Sequence, residues 1–257
     1  MRPCTERTED HPDTTWADIN WHAVEEHVRR LQARRYRATT NQAWRKVTHL
    51  QKRLGRAPSN TLLAIRRIPQ ENQGKHPAGS DGVVYDTPEA RWKLFHEGLS
   101  LQGYKPRPVR RVSIPKGNGE ERPVGIPTGK DRVRQAIVKA ALEPEGEARL
   151  EANAYGVRPG RGTRDAVEAI PTTMHRQDGS PWVLEADISG GFDNLDHQPL
   201  LAQRPVFTTT LRQWRQAGVV AVGFCSPTDM GTPQGGVRAP LVAKVALAGM
   251  ERLCDAA

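Results

Sequence analysis

Between Val109 and Ile126 the hydrophobic period of the chain changes from helical to extended. VRRVSIP alternates apolar and polar residues over Val109 to Ile114, GNG at 117–119 supplies turn residues, and ERPVGIP returns. This pattern predicts a β-hairpin. The flanking segments have a different period. Trp21, Val24, Val28 and Leu31, then Trp44, Val47, Leu50 and Leu54, then Val133, Ile137 and Ala141 recur at three- and four-residue steps, which predicts helices with one apolar face. A hairpin set among helices defines an α+β chain.

The boundaries follow from capping residues and from proline and glycine. Residues 1–14 read as a disordered polar tail, and Thr15 with Asp18 caps the first helix. A second helix is expected from about Asn41 to Leu54, ended by Pro58, with TLLAIRRI as a short third. Residues 72–86 have loop composition, and Thr87-Pro88 opens a helix carrying Trp92, Phe95 and Leu99. Asp131 is expected to cap the next helix. YGVRPGRGT (155–163) is a basic, glycine-rich loop before a helix from near Asp165. WVLEADI (182–188) and VVAVGF (219–224) read as strands, GTPQGG (231–236) as a turn, and a last helix begins near Pro240.

Charge is concentrated in two places. From His27 to Arg56 there are ten Lys or Arg and no acid; from Tyr104 to Arg134 there are nine bases and three acids. The whole chain carries only +9, so the remainder is net acidic. Two cationic surfaces on an acidic body are the footprint of phosphate-backbone binding, and Tyr36, Trp44 and Tyr104 are interleaved with the charge. A solvated helix face and core aromatics remain the alternative. No run approaches the ~18 apolar residues that span a bilayer, and no apolar block follows the N-terminal charges as in a secretory signal. Cys4, Cys225 and Cys254 are odd in number and far apart, unlike a disulfide framework or a paired-ligand zinc site. The expectation is a soluble cytoplasmic protein with a polyanionic partner.

Several residues have chemical potential. Asp187 ends a strand, the position from which a carboxylate holds Mg²⁺ through oxygen; a turn or N-cap aspartate is the other reading, and fits Asp193 and Asp196. Lys116 and Arg122 flank the GNG turn, as a triphosphate clamp would, or as solvated turn charges. Gln234 lies in a glycine-rich turn open to a base or sugar. Other motifs fail: GIPTGKD (125–131) is one residue short between its glycines for a P-loop and lacks Ser or Thr after Lys130. His22 and His27 are five apart, and Ser189 has no evident His–Asp partner.

Taken in order, RRVSIPKGNGEERPVGIPTGKDRVRQAIVKAALEP, YGVRPGRGTRDAVEAI, EADISGGFDNLDH and GTPQGGVRAPL resemble the group II intron-encoded reverse transcriptase/maturases, RNA-directed DNA polymerases. The resemblance covers about residues 15 to 254. It implies right-hand polymerase fingers (87–180) and an incomplete palm (181–257), preceded by a basic helical N-terminal extension (15–86). It makes Asp187 the first catalytic aspartate, holding Mg²⁺ together with the Ile188 carbonyl. Phe192 would screen the sugar 2′ position, Lys116 and Arg122 would grip the dNTP triphosphate, and Gln234 would pack near the nascent base pair. Arg29, Arg30, Arg34, Arg35, Arg37, Arg158 and Arg161 would contact intron RNA or template-primer RNA. The family's chemistry is attack of a primer 3′-OH on an α-phosphate.

The chain departs from that family in one decisive respect. It contains no Asp-Asp pair and so no Tyr-x-Asp-Asp hairpin, and it stops at Ala257 inside an expected helix. A truncated fragment that polymerises little or nothing alone is expected, active only if a second chain supplies the rest of the palm and thumb. The alternatives are a non-catalytic, maturase-like RNA-binding fragment and a decayed remnant. Ser80, Gly146, Val157 and Arg238-Ala239 stand where the family has other residues, apolar at Ser80 and Trp at Gly146, which predicts marginal stability.

Overall fold

A computed structural model describes residues 15–72, 74, 76–115, 117, 119, 121–156, 158–175, 185, 206–221 and 224–226. The expected tail, the 182–188 strand apart from Glu185, the PQGG turn and the last helix lie outside these residues. The N-terminus differs from expectation. Thr15 and Asp18 bracket only a 3₁₀ turn, Trp16–Asp18, in which the Asp18 carboxylate accepts from both the Thr15 amide (2.8 Å) and hydroxyl (2.6 Å). Those hydrogen bonds hold the Asp18 carboxyl below its usual pKa. Extended backbone at Ile19 ends the turn, and helix α1, Trp21–Thr40, is capped by Asn20, which accepts from the Ala23 amide (3.1 Å).

Gln42, with φ +53°, reverses the chain into α2, Trp44–Arg56. Pro58 does not simply end α2. Extended backbone at Ala57 does so, and Pro58 opens α3, Pro58–Ile65, at a position where its missing N–H costs nothing. The helix then loosens into a π-helical turn, Arg66–Glu71, which accommodates Pro69. Thr87 caps α4, Pro88–His96, as expected, accepting from the Ala90 amide (3.2 Å). The hairpin forms as β1, Val109–Pro115, and β2, Glu121–Ile126, paired from Arg110↔Ile126 to Pro115↔Glu121.

Thr128, not Asp131, caps α5, Gly129–Glu147; its hydroxyl accepts from the Asp131 amide (3.2 Å). The buried Asp131 carboxylate is thereby left for tertiary contacts. Helix α6, Thr163–Met174, precedes α7, Thr208–Gln216, entered through Phe207 at φ +67°. The apolar run at 219–224 is two strands rather than one: β3, Val219–Ala221, and β4, Phe224–Ser226, pair antiparallel. β3 runs parallel to β1, giving the sheet order β2-β1-β3-β4.

Helix α5 is the centre of the packing. Ala141 joins Val28, Leu31, Val47, Leu50, Leu54 and Leu63 of α1–α3. Val133 and Ile137 join Trp16, Ile65, Ile68 and Leu94. Val138 and Leu142 meet Trp214 of α7. No residue of α5 is exposed, and each buried Val, Leu or Ile side chain contributes about 1.5–3 kcal/mol. Buried Asn60 adds a polar tie, donating to the carbonyls of Leu54 (3.0 Å) and Ile137 (3.2 Å). Helices α1–α3 therefore share one core with α5.

Candidate nucleic-acid interface

The apolar face of α1 turns Val28, Leu31 and Ala38 inward, leaving Arg29, Arg30, Arg34 and Arg37 exposed. On α2 the same logic exposes Arg45, Lys46, Lys52, Arg53 and Arg56. Arg30 pairs with Glu26 at 4.0 Å; the other eight cations have no carboxylate partner among the described residues. Arg35 corrects the sequence reading. Its side chain is 0% exposed and binds Glu145 of α5 at 2.6 Å, because its position on α1 faces the core. Arg158 is also withdrawn, bonded to Glu147 (2.9 Å) and to the carbonyls of Glu151 and Ala154. Arg161 lies over the Tyr155 ring at 5.3 Å and donates to the Ala152 carbonyl.

The interleaved aromatics separate. Tyr36 and Trp44 are exposed, whereas Tyr104 is half-buried. Tyr104 donates its hydroxyl to Asp131 and accepts from the Trp214 indole N–H (3.2 Å), with Arg134 stacked 4.2 Å from its ring. Burial, reinforced by Asp131, pushes the Tyr104 phenol well above its usual pKa. Tyr104, Asp131 and Arg134, with Asp81, Tyr85, Arg107 and Lys130, line a cleft of about 300 Å³ at the start of α5. Lys130 is held by Glu97 at 2.6 Å, which lowers the Glu97 pKa. Asp131 is thus not the cap expected from sequence but part of a link from α5 through Tyr104 to α7. No local pattern signals it, because its partners lie 27 and 110 residues apart in sequence.

The 72–86 loop is fixed over the cleft. Arg132, whose pKa is lowered by burial, donates to the carbonyls of Gly74 (2.8 Å) and Pro77 (2.9 Å). The Ser80 hydroxyl donates to the Pro108 carbonyl (2.7 Å), so the polar residue at this position has a structural place. At Gly79 a Cβ would come within 2.5 Å of the Thr128 Cα. Gly146 is buried in the last turn of α5.

On the hairpin, Arg110 and Arg111 are exposed and the Arg122 backbone lies opposite Ile114. Lys116, Asp187, Ile188, Phe192 and Gln234 lie outside the described residues. Among the described residues, no group of three or more His, Cys, Asp or Glu could hold a metal ion, and no helix is long and apolar enough to cross a membrane.

Comparison with known proteins fits this architecture. Residues 16–97 match the N-terminal domain of reverse transcriptase, and residues 114–257 match reverse transcriptase (RNA-dependent DNA polymerase). The chain belongs to the reverse transcriptase family, with a fingers/palm region preceded by a helical N-terminal part. Its relatives bear out the group II intron resemblance. It is 32% identical over 186 residues to group II intron-encoded protein LtrA of Lactococcus lactis subsp. cremoris, covering 68% of this chain and 31% of that protein. Protein YkfC of Escherichia coli (strain K12) is 34% identical over 198 residues, 72% of this chain and 52% of its own length. The chain thus spans about half of one relative and about a third of the other. A solved partial Cas6-RT-Cas1–Cas2 complex superposes with a TM-score of 0.47 at 19% identity, over 80% of this chain and 35% of that one.

Proposed function

We propose that this chain is the RNA- and nucleotide-gripping part of a group II intron reverse transcriptase, acting in the cytoplasm on intron or template-primer RNA. One observation carries the reading: Arg29, Arg34, Arg37, Arg45, Lys46, Lys52, Arg53 and Arg56 project from one helical hairpin with no carboxylate partner among the described residues. Such unneutralised charge is available to phosphates, whose counterions are released on contact. Arg30, paired with Glu26, and Arg161, over the Tyr155 ring, are partly engaged; Arg35 and Arg158 are structural.

The polymerase residues are carried by the family resemblance. Lys116 and Arg122 grip the dNTP triphosphate, Phe192 screens the sugar, and Gln234 packs at the nascent pair. Asp187 and the Ile188 carbonyl are the residues that would hold Mg²⁺. The family depends on divalent metal, which when bound stabilises developing charge on the phosphoryl oxygens. The 257 residues include no Asp-Asp pair, so within them Asp187 stands without the family's second carboxylate motif, and these residues by themselves extend primers little or not at all.

Titrating the purified protein against intron RNA at several salt concentrations tests the binding reading. If about five of the eight cations meet phosphates, log K falls with log salt at a slope of about −3 to −4. A flat salt dependence would overturn it. Robust primer extension with Mg²⁺ by these 257 residues, lost in Asp187→Ala, would overturn the need for a further carboxylate motif. A second, purely RNA-binding reading is favoured by the same helical hairpin, and predicts full intron-RNA binding in Asp187→Ala with no extension under any complementation.

A further inference from the structure

Trp44 stands apart from the other described tryptophans. Trp16, Trp21 and Trp92 pack on one another, with centroids 5.0 Å apart for Trp16–Trp21 and 6.5 Å for Trp16–Trp92. Trp214 is buried against Tyr104. Trp44, at the first position of α2, is 49% exposed. An indole is among the largest apolar surfaces a chain can bury, so one left half open at the margin of a cationic face needs a reason.

Its surroundings are built from the core outward. Arg35, 0% exposed, binds one oxygen of Glu145 at 2.6 Å; the other oxygen binds Arg149 at 2.9 Å. Arg149, so anchored, places its guanidinium 5.1 Å from the Trp44 ring centroid. The ring is thus backed by a held cation rather than a mobile one. Arg45 and Lys46 follow directly in the chain, exposed and without a carboxylate partner among the described residues. Tyr36 is comparably exposed at 46%, but no cation lies over its ring among the described residues.

We infer that the open surface of Trp44 is a stacking platform for an unpaired RNA base, with Arg149 behind the ring and the exposed cations of the same helical hairpin serving the RNA backbone. This rests on the RNA-binding reading above. The surrounding positive charge favours a nucleic acid over an apolar peptide. A base offers its face only where it is unpaired, because a duplex hides base faces in its own stack. The platform therefore selects single-stranded segments, while the remaining cations bind any RNA backbone.

The test measures binding of the full chain to a fluorescently labelled oligouridine and to a blunt RNA duplex, across a salt series, for the wild type and for Trp44→Ala, Trp44→Leu and Trp44→Phe. Loss of one stacked base lowers oligouridine affinity about tenfold or more in Trp44→Ala and Trp44→Leu. Trp44→Phe keeps most of the affinity, duplex binding stays within about twofold, and the salt slope is unchanged because no charge is removed. Thermal melts by circular dichroism accompany each variant. If Trp44→Ala fails to fold, the Leu and Phe variants, both bulky and apolar but differing in an aromatic face, decide the matter. Equal losses on both RNAs, or none on oligouridine with the salt slope intact, overturn the platform while leaving the RNA-binding reading standing. Absence of salt-dependent binding in the wild type sinks both.

Discussion

Replacing Glu145 with Leu leaves the Arg35 guanidinium, 0% exposed, without its carboxylate partner at 2.6 Å. Breaking a buried pair from one side costs about 3–5 kcal/mol, because a charge stays in a medium that cannot solvate it. The opposite change is milder. Arg35→Met leaves Glu145 still paired to Arg149 at 2.9 Å, and Arg149, 38% exposed, remains in touch with water. About 1–3 kcal/mol is expected there, from lost hydrogen bonding alone. The double variant Arg35→Met/Glu145→Leu removes both charges and fills the space with apolar groups, so its stability returns close to wild type. The three variants thus define a coupling of several kcal/mol. Urea unfolding followed by circular dichroism reads it directly, and in a thermal melt the Glu145→Leu loss lowers Tm by about 10 °C. Equal losses in the two single variants, or a double variant as damaged as their sum, would refute this account of the pair.

Two other expectations concern the loop over the cleft and its tyrosines. Gly79→Ala forces a Cβ to within 2.5 Å of the Thr128 Cα and 2.6 Å of its amide nitrogen; backbone cannot swing aside, so a loss of about 1–3 kcal/mol or more follows, visible as faster proteolysis within 72–86 and a lower urea midpoint. At alkaline pH, burial, aided by Asp81 and Glu97, pushes the Tyr85 phenol from 10.0 up to about 12, and Tyr104 is shifted in the same direction. The folded state holds these protons more tightly than the unfolded chain does, so their contribution is complete below pH 10 and falls away between about pH 10 and 12. Stability measured over that range should decline less steeply in Tyr85→Phe; an unchanged slope would count against the shift.

Local chemistry made much of this architecture readable. Alternation around GNG located the hairpin, and the Thr87-Pro88 cap located α4. Errors arose where two residues could serve the same local role. Thr15 and Asn20 can both cap α1, and Thr128 and Asp131 can both cap α5; in each case tertiary burial decided, drawing Trp16 and Asp131 inward. Arg35 shows the same limit. It sits in a basic run like its neighbours, and only the packing of α1 against α5 reveals that it faces Glu145, 110 residues away. The partners that make Trp44 conspicuous are equally remote, since Arg149 lies in a different part of the fold. Family resemblance supplied Asp187, Lys116 and Gln234, which local spacing left ambiguous.

Because one helix forms a wall of all three hydrophobic clusters, the order of synthesis matters. When α1–α3 leave the ribosome, the surface they must close upon has not yet been made. Until residue 147 or so emerges, the nascent chain carries a cationic hairpin and bare leucines side by side. The exposed cations of that hairpin keep unfinished chains charged and mutually repelling while their leucines wait for α5.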